Sequence, residues 1–205
     1  MNHAILGSAG TLTVVVDWVE PARPLDSSID ALRDWLVRES ARPRERIDVH
    51  RGHAVERAKA ASTERSIAET VVKEAAPPGG AFVYVLYWDR FDRYRGVTFP
   101  SDELDSRAPF PVVVMLADSI RHDCHLWLTR KKVERAVLVH EFGHVAGLVS
   151  SGRRVHDGHC PNPRCRMYHG PDWPAIKANA FPVLCLWKLP LDFCDDCERE
   201  LREGR

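Results

Sequence analysis

The sequence lacks the features of a membrane protein and of a nucleic-acid-binding protein. Its 205 residues contain no run of the ~18–20 apolar residues that a membrane-spanning helix needs. Its 29 lysines and arginines balance its 29 aspartates and glutamates, so no net field attracts nucleic acid or anionic lipid. The first residues carry no cationic start, and Asp17 interrupts their apolar run too early for a signal peptide. We therefore expect a soluble, cytoplasmic monomer with no nucleic-acid or membrane partner.

Length and composition indicate a chain with a hydrophobic core of ordinary size, since 44% of the residues are hydrophobic and 28% are charged. Apolar runs predict strands and helices in alternation. The predicted strands are 11–19, 46–55, 81–91, 96–100 and 109–120, and the predicted helices are 27–40, 62–75 and 129–148. This order favours an α/β fold, with a twisted, mostly parallel sheet and an antiparallel edge strand at 96–100.

The starts of the helices carry different signals. A serine is expected to cap the first helix. The second helix offers Ser62 or Thr63 as a cap, but neither has Glu or Gln three residues later. No full capping box is therefore expected there.

His140, Glu141 and His144 form the pattern H-E-x-x-H in the last predicted helix. Residues four apart lie on one face of a helix about one turn apart, so both imidazoles can reach a single zinc ion. Glu141 faces the same cleft and can act as general base towards a water molecule. The alternative is a helix with two histidines in ordinary structural hydrogen bonds.

The chain lacks the third ligand in both of its usual places. No glutamate lies between Glu141 and Glu198, and Glu198 and Glu200 belong to a charged tail that is expected to be solvated. Gly147 occupies the turn position of the metzincin pattern H-E-x-x-H-x-x-G-x-x-H, but Ser150 stands where the last histidine should be. Either the metal site is lost, or the chain returns to it later.

Four cysteines follow in two close pairs. Cys160 and Cys165 form one pair, and Cys194 and Cys197 form the other. Four thiolates are the ligand set of a closed structural zinc site, and the segment around them has little periodicity from which to build a core. The alternative is that Cys194 and Cys197 form a redox pair.

The motifs HEFGHVAGL, His159-Cys160, CPNPRCRM and FCDDC resemble those of the archaemetzincins, a family of zinc metallopeptidases. They lie within residues 140–197, a stretch of about a quarter of the chain. The resemblance implies that His159 is the third ligand of the catalytic zinc and that Met167 forms a turn beneath it. It also implies that a structural zinc is bound by the four cysteines, Cys160, Cys165, Cys194 and Cys197.

The chain departs from the family's spacing before the third histidine. His159 stands twelve residues after Gly147, whereas the family has its histidine three residues after the glycine. The interval from Met167 to the last cysteine pair is also longer. Closing the longer loop costs at most about 1 kcal/mol. The insertion brings two rival ligands, His156 and Asp157; we expect His159, because Cys160 anchors it beside the second zinc.

These patterns together predict a peptidase that binds two zinc ions, one catalytic and one structural, and acts on a peptide or protein substrate. Residues 1–147 are expected to form a metzincin-like subdomain with the active-site helix. Residues 148–205 are expected to form a small C-terminal subdomain with the third ligand, the methionine turn and the four-cysteine site. The edge strand at 96–100 would pair with an extended substrate. The alternative is a non-catalytic zinc-stabilised binding protein that kept the scaffold.

Overall fold

The computed structural model describes residues 5–7, 9–56, 62–75, 77, 79–101, 103–104, 110–124, 128–149, 158–168 and 192–203. The strands in these ranges are β1 (Leu12–Trp18), β2 (Ile47–Ala54), β3 (Ala81–Trp88), β4 (Gly96–Phe99) and β5 (Val112–Leu116). The helices are α1 (Asp26–Glu39), α2 (Glu64–Glu74), α3 (Ala117–His122), α4 (Arg130–Val145) and α5 (Asp195–Glu203), and a short 3-10 turn, Arg44–Arg46, precedes β2.

The strands form one sheet in the order β2-β1-β3-β5-β4. Strands β2, β1, β3 and β5 run parallel, and β4 pairs with β5 in the antiparallel sense. This arrangement confirms the predicted α/β class, the mostly parallel sheet and the antiparallel edge at Gly96–Phe99. The short strand β4 lies next to α4, so the edge of the sheet and the H-E-x-x-H helix are neighbours.

Successive side chains of the central strands enter two different cores, as period-2 alternation requires. Val83, Val85 and Tyr87 of β3 pack in the cluster that contains α1 and α4. Their neighbours Tyr84 and Leu86 point the other way, into the cluster that contains α2. Burying each such side chain contributes about 1.5–3 kcal/mol. Helix α4 is therefore fixed on one face of the sheet by the same residues that build the core.

Two of the predicted strands end earlier than expected. The run at 109–120 yields strand β5 only to Leu116, because helix α3 begins at Ala117. The third strand ends at Trp88 and not at residue 91. After β5 the apolar character continues into α3, where Ala117 and Ile120 are also buried, whereas the polar residues Asp89 and Arg90 follow the end of β3.

The serine cap expected for the first helix was wrong. In the second helix Thr63, one of the two expected caps, is the N-cap, but the expectation of no full capping box was wrong. Helix α1 has Leu25 as N-cap without a side-chain cap, and the Leu25 amide donates instead to the Glu134 carboxylate of α4 at 2.8 Å. Helix α2 has a full capping box. There the Ser66 hydroxyl accepts from the Thr63 amide at 3.1 Å, which is the role that Glu or Gln usually takes.

The charged C-terminal tail is a helix, α5, whose Cys197 and Leu201 enter the same core cluster as α4. Glu200, expected to be solvated, accepts a hydrogen bond from the Val149 amide at 3.2 Å. No helix in the described ranges is both long and apolar enough to cross a bilayer. The division into subdomains at residue 147 stays a prediction, because much of 148–205 lies outside the described residues.

The buried Glu134 of α4, which accepts a hydrogen bond from the start of α1, gives a test of this packing. Glu134 is 1% exposed and accepts from Arg130 one turn away, whereas Glu69 makes the same i,i+4 pair with Arg65 at 36% exposure. We expect Glu134→Ala to lower the free energy of unfolding by about 2–4 kcal/mol, since it removes the acceptor of the Arg130 Nε–H group and of the Leu25 amide. Glu69→Ala should cost less than about 0.5 kcal/mol. Urea unfolding measures both, and equal losses would contradict the packing.

Candidate metal centres

Helix α4 presents two histidines to one point in space. His140 and His144 lie one turn apart near its C-terminal end, and their Nε2 atoms are 3.2 Å apart. The His140 Nδ1 atom lies 2.6 Å from the Arg166 carbonyl oxygen, which can only accept a hydrogen bond. Nδ1 therefore carries the ring hydrogen, and Nε2 offers its lone pair to a metal.

A glycine turn ends this helix and redirects the chain. Gly147 has a φ of 83°, a left-handed conformation that a side chain disfavours. Its amide donates to the His144 carbonyl, and the Leu148 amide donates to the Gly143 carbonyl, both at 2.9 Å. These are the two hydrogen bonds of a Schellman motif. Gly147 therefore produces the sharp exit that the metzincin pattern requires, even though Ser150 replaces the expected histidine.

His159 joins the two histidines of α4. Its ring centroid lies 5.2 Å from that of His140 and 4.9 Å from that of His144. One ligand nitrogen from each of the three residues falls within 4.8 Å of the others. Zinc–nitrogen bonds of 2.0–2.1 Å in tetrahedral geometry place two nitrogens about 3.3 Å apart. The His140–His144 separation of 3.2 Å fits that geometry, and three imidazoles leave one coordination position open.

The four cysteines form a second centre. The sulfur atoms of Cys160 and Cys194 are 3.7 Å apart, as are those of Cys165 and Cys197. A disulfide requires about 2.05 Å. Zinc–sulfur bonds of 2.3 Å in tetrahedral geometry place two sulfurs about 3.8 Å apart. The four sulfurs lie within 4.8 Å of one another, which fits four ligands around one ion, and Cys194 and Cys197 are free cysteines with no disulfide between them.

Hydrogen bonding and burial shift the pKa values of these thiols in opposite directions. The hydrogen bond from the Cys197 thiol lowers the pKa of Cys165 to about 5, and the Cys194 amide reinforces it. The pKa of Cys197 is raised, mainly because its thiol donates that hydrogen bond, and burial raises the pKa of Cys160 to about 11. Ionisation is thus favoured at Cys165 and disfavoured at Cys160 and Cys197. A divalent ion would offset the repulsion among four thiolates.

One short segment, 158–168, connects the two centres. It carries His159 next to Cys160, and the Cys160 amide donates to the Met167 carbonyl at 2.7 Å. The Arg166 carbonyl that orients His140 lies between Cys165 and Met167 in the chain. The four-cysteine cluster therefore fixes both the residue that reaches the histidine site and the carbonyl that orients one of its members.

Glu141 lies between α4 and the edge strand. It is 5% exposed, and burial raises the pKa of its carboxyl group to about 7, against the opposing effect of a hydrogen bond from Thr98. The Thr98 hydroxyl donates to Oε2 at 2.7 Å. The carboxylate of Glu141, the neighbour of His140 in the chain, therefore lies against β4, the antiparallel edge strand of the sheet.

The fold can be compared with those of known proteins. No protein-family model and no curated protein sequence matches the chain. The structure is similar to the crystal structure of archaemetzincin from Methanopyrus kandleri, with a TM-score of 0.57, 14% sequence identity and 95% of each chain covered. The chain has the archaemetzincin fold. This confirms the resemblance read from the HEFGHVAGL and cysteine motifs at the level of fold.

Within this archaemetzincin-like fold, the structure brings together the residues that the sequence singled out. The histidine cluster contains His140, His144 and His159, and the sulfur cluster contains Cys160, Cys165, Cys194 and Cys197. Met167 is fully buried against Gly143 of α4, and its expected role in a turn beneath the zinc stays a prediction. The rival ligands His156 and Asp157, like Ser150, lie outside the described residues, so the choice of His159 stays a prediction.

The groups that orient His140 and Glu141 were not predicted from the sequence. The Arg166 carbonyl carries no side-chain signal, because any residue at that position supplies the same oxygen. Thr98 and Gly96 were assigned to the edge strand but not to Glu141. The spacing G-x-T places both residues on one face of β4, and this was the signal available.

The contact between α4 and Met167 gives a prediction with a definite sign. Alanine is normally favoured over glycine inside a helix by about 1 kcal/mol. A Cβ at Gly143 would collide with the Met167 sulfur and lie 3.4 Å from Leu148 Cδ1. We therefore expect Gly143→Ala to destabilise the protein by about 1–3 kcal/mol. In a Met167→Ala background, which removes the sulfur, the same change should be neutral or stabilising.

Thermal unfolding of the four proteins measures this cycle. A melting temperature that rises on Gly143→Ala while Met167 is present would contradict the close approach of the two segments.

Proposed function

We propose that the protein is a zinc-dependent peptidase of the metzincin type, with His140, His144 and His159 as ligands of the catalytic zinc and Glu141 as general base. The convergence of three imidazoles around one open position, with a buried carboxylate adjacent in sequence, carries this proposal. Three protein ligands and one free position are the arrangement of catalytic zinc sites, whereas structural sites are closed.

The four cysteines are proposed to hold a second, structural zinc. Their sulfur spacing fits tetrahedral coordination, and four thiolates leave no position for a substrate. The described cysteines are free thiols. A cytoplasmic location belongs to the proposal, since close cysteine pairs stay reduced and metal-binding in a reducing compartment.

The reaction needs a base, an electrophilic carbonyl and a held substrate. A zinc ion in the histidine site supplies Lewis-acid chemistry, by polarising the scissile carbonyl and making a water molecule more acidic. Glu141 accepts a proton from the attacking water at a carboxylate oxygen and then delivers it to the nitrogen of the leaving amine. The hydrogen bond to the Arg166 carbonyl holds His140 in the tautomer whose Nε2 lone pair can bind a metal.

The substrate is proposed to be a peptide or protein segment bound in extended form by a monomer. Strand β4 pairs with β5 along one edge, and in the described part of the chain no strand pairs with its other edge. An extended peptide can add to such an edge through backbone hydrogen bonds. The strand lies directly beside Glu141, so a bound peptide bond would pass close to the proposed base.

Removal of the base tests the proposal. We expect Glu141→Ala to reduce peptide hydrolysis by roughly 10²–10⁴-fold while zinc content stays unchanged, because Glu141 moves protons and does not bind the metal. The assay uses pooled fluorogenic peptides with free and blocked N-termini, which also separates aminopeptidase from endopeptidase action. Zinc is measured by elemental analysis on the same samples, and Glu69→Ala in α2 is the control carboxylate.

Two outcomes would contradict the proposal. Hydrolysis by Glu141→Ala at the wild-type rate would exclude Glu141 as base. A wild-type protein that contains zinc but hydrolyses none of the pooled peptides would favour the alternative, a non-catalytic zinc-stabilised binding protein.

A further inference from the structure

The residues of strand β4 alternate between the hydrophobic core and Glu141 of α4. Val97 and Phe99 pack in the core cluster that contains α2. Gly96 and Thr98 alternate with them and face Glu141 of α4. The inner face of this edge strand is therefore built from one residue without a side chain and one hydroxyl, both directed at the same carboxylate.

Thr98 contacts Glu141 at two points. Its Oγ1 lies 2.7 Å from Oε2 of the carboxylate and 3.1 Å from the Glu141 carbonyl oxygen in the helix backbone. The Thr98 side chain is β-branched and has few rotamers on a strand, so the strand restricts the position of the hydroxyl independently of Glu141. A hydroxyl held by the strand therefore specifies the position of one carboxylate oxygen relative to α4.

Gly96 determines where the rest of the carboxyl group can lie. A Cβ placed at Gly96 would come within 2.7 Å of Oε1, 2.8 Å of Cγ and 2.9 Å of Cδ of Glu141. Any residue with a side chain here would force the carboxyl group out of its position. The carboxylate is thus fixed from two sides, by a donor at Thr98 and by the space over Gly96.

We propose that Thr98 is a positioning residue for the base Glu141, and that Gly96 provides the clearance the base needs; this inference rests on the proposed peptidase function. Glutamate has three side-chain torsions, and a flexible base must be ordered at each turnover. With Oε2 held by Thr98, Oε1 is the oxygen left to exchange protons. Misplacement of a catalytic group by about 1 Å can cost on the order of 10²-fold in rate.

The kinetic test compares Thr98→Val, which keeps the shape without the hydroxyl, with Thr98→Ser, which keeps the hydroxyl. We expect Thr98→Val to lower kcat by roughly 10–100-fold with KM changed less than about 3-fold, and Thr98→Ser to stay within about 3-fold of wild type. Zinc content should be the same in all three proteins. Gly96→Ala should reproduce the loss in kcat.

Thr70→Val is the matched control, because its hydroxyl donates to the Ser66 carbonyl at 2.8 Å within α2, which packs in the other core cluster from α4. Wild-type kcat in Thr98→Val would overturn the proposal. So would a Thr98→Ser protein as slow as Thr98→Val, since the methyl group and not the hydroxyl would then matter.

A second measurement does not depend on activity. The effect of Thr98→Val on the melting temperature is compared in wild type and in Glu141→Ala. If Thr98 and Glu141 interact, Thr98→Val should lower the melting temperature by roughly 2–5 °C in wild type and by less than about 1 °C in Glu141→Ala. Equal losses in an active peptidase would overturn the positioning role alone. Coupled losses in a protein without peptidase activity would overturn the proposed function and, with it, the role of Thr98.

Discussion

The anchoring of the segment 158–168 by the four-cysteine cluster is the constraint on which the histidine site depends. His159 is the neighbour of Cys160, and the Arg166 carbonyl that orients His140 follows Cys165 directly. Helix α4 alone supplies two imidazoles on one face, which is too few for a catalytic zinc site. The third imidazole and the tautomer of His140 both come from a segment that has little regular structure. In the proposed protein, metal binding by the four cysteine sulfurs holds this segment in place of regular secondary structure.

This dependence explains how the chain tolerates a longer connection between α4 and its third histidine. In the metzincin pattern the glycine turn itself carries the histidine back to the metal. Here Gly147 still makes the turn, through its left-handed φ of 83° and the two Schellman hydrogen bonds. The return position is then fixed from the other end, by Cys160 and by the Met167 carbonyl that its amide contacts. The length of the loop matters little once both ends are fixed, because closure entropy grows slowly with length.

Features that follow from local patterns were predictable from the sequence. Apolar runs predicted the strands and α4, and fixed spacings in H-E-x-x-H and the cysteine pairs predicted which side chains would cluster. Interactions between distant residues were not predictable. The Leu25 amide at the start of α1 is capped by Glu134, which lies 109 residues later, and Thr98 meets Glu141 across 43 residues. Helix α5 was not predicted, because most of its residues are charged and only Cys197 and Leu201 pack inward.

We propose above all that His159, and not a residue of the preceding loop, is the third ligand of a zinc site with His140 and His144. A crystal structure of the zinc-loaded protein, with anomalous differences measured at the zinc absorption edge, tests it most directly. We expect two anomalous peaks per chain, one for each proposed zinc site. One should lie about 2.0–2.1 Å from a nitrogen of each of these three histidines, and the other about 2.3 Å from each of the four sulfurs. A first peak coordinated by His156 or Asp157 in place of His159, or no peak beside α4, would contradict it.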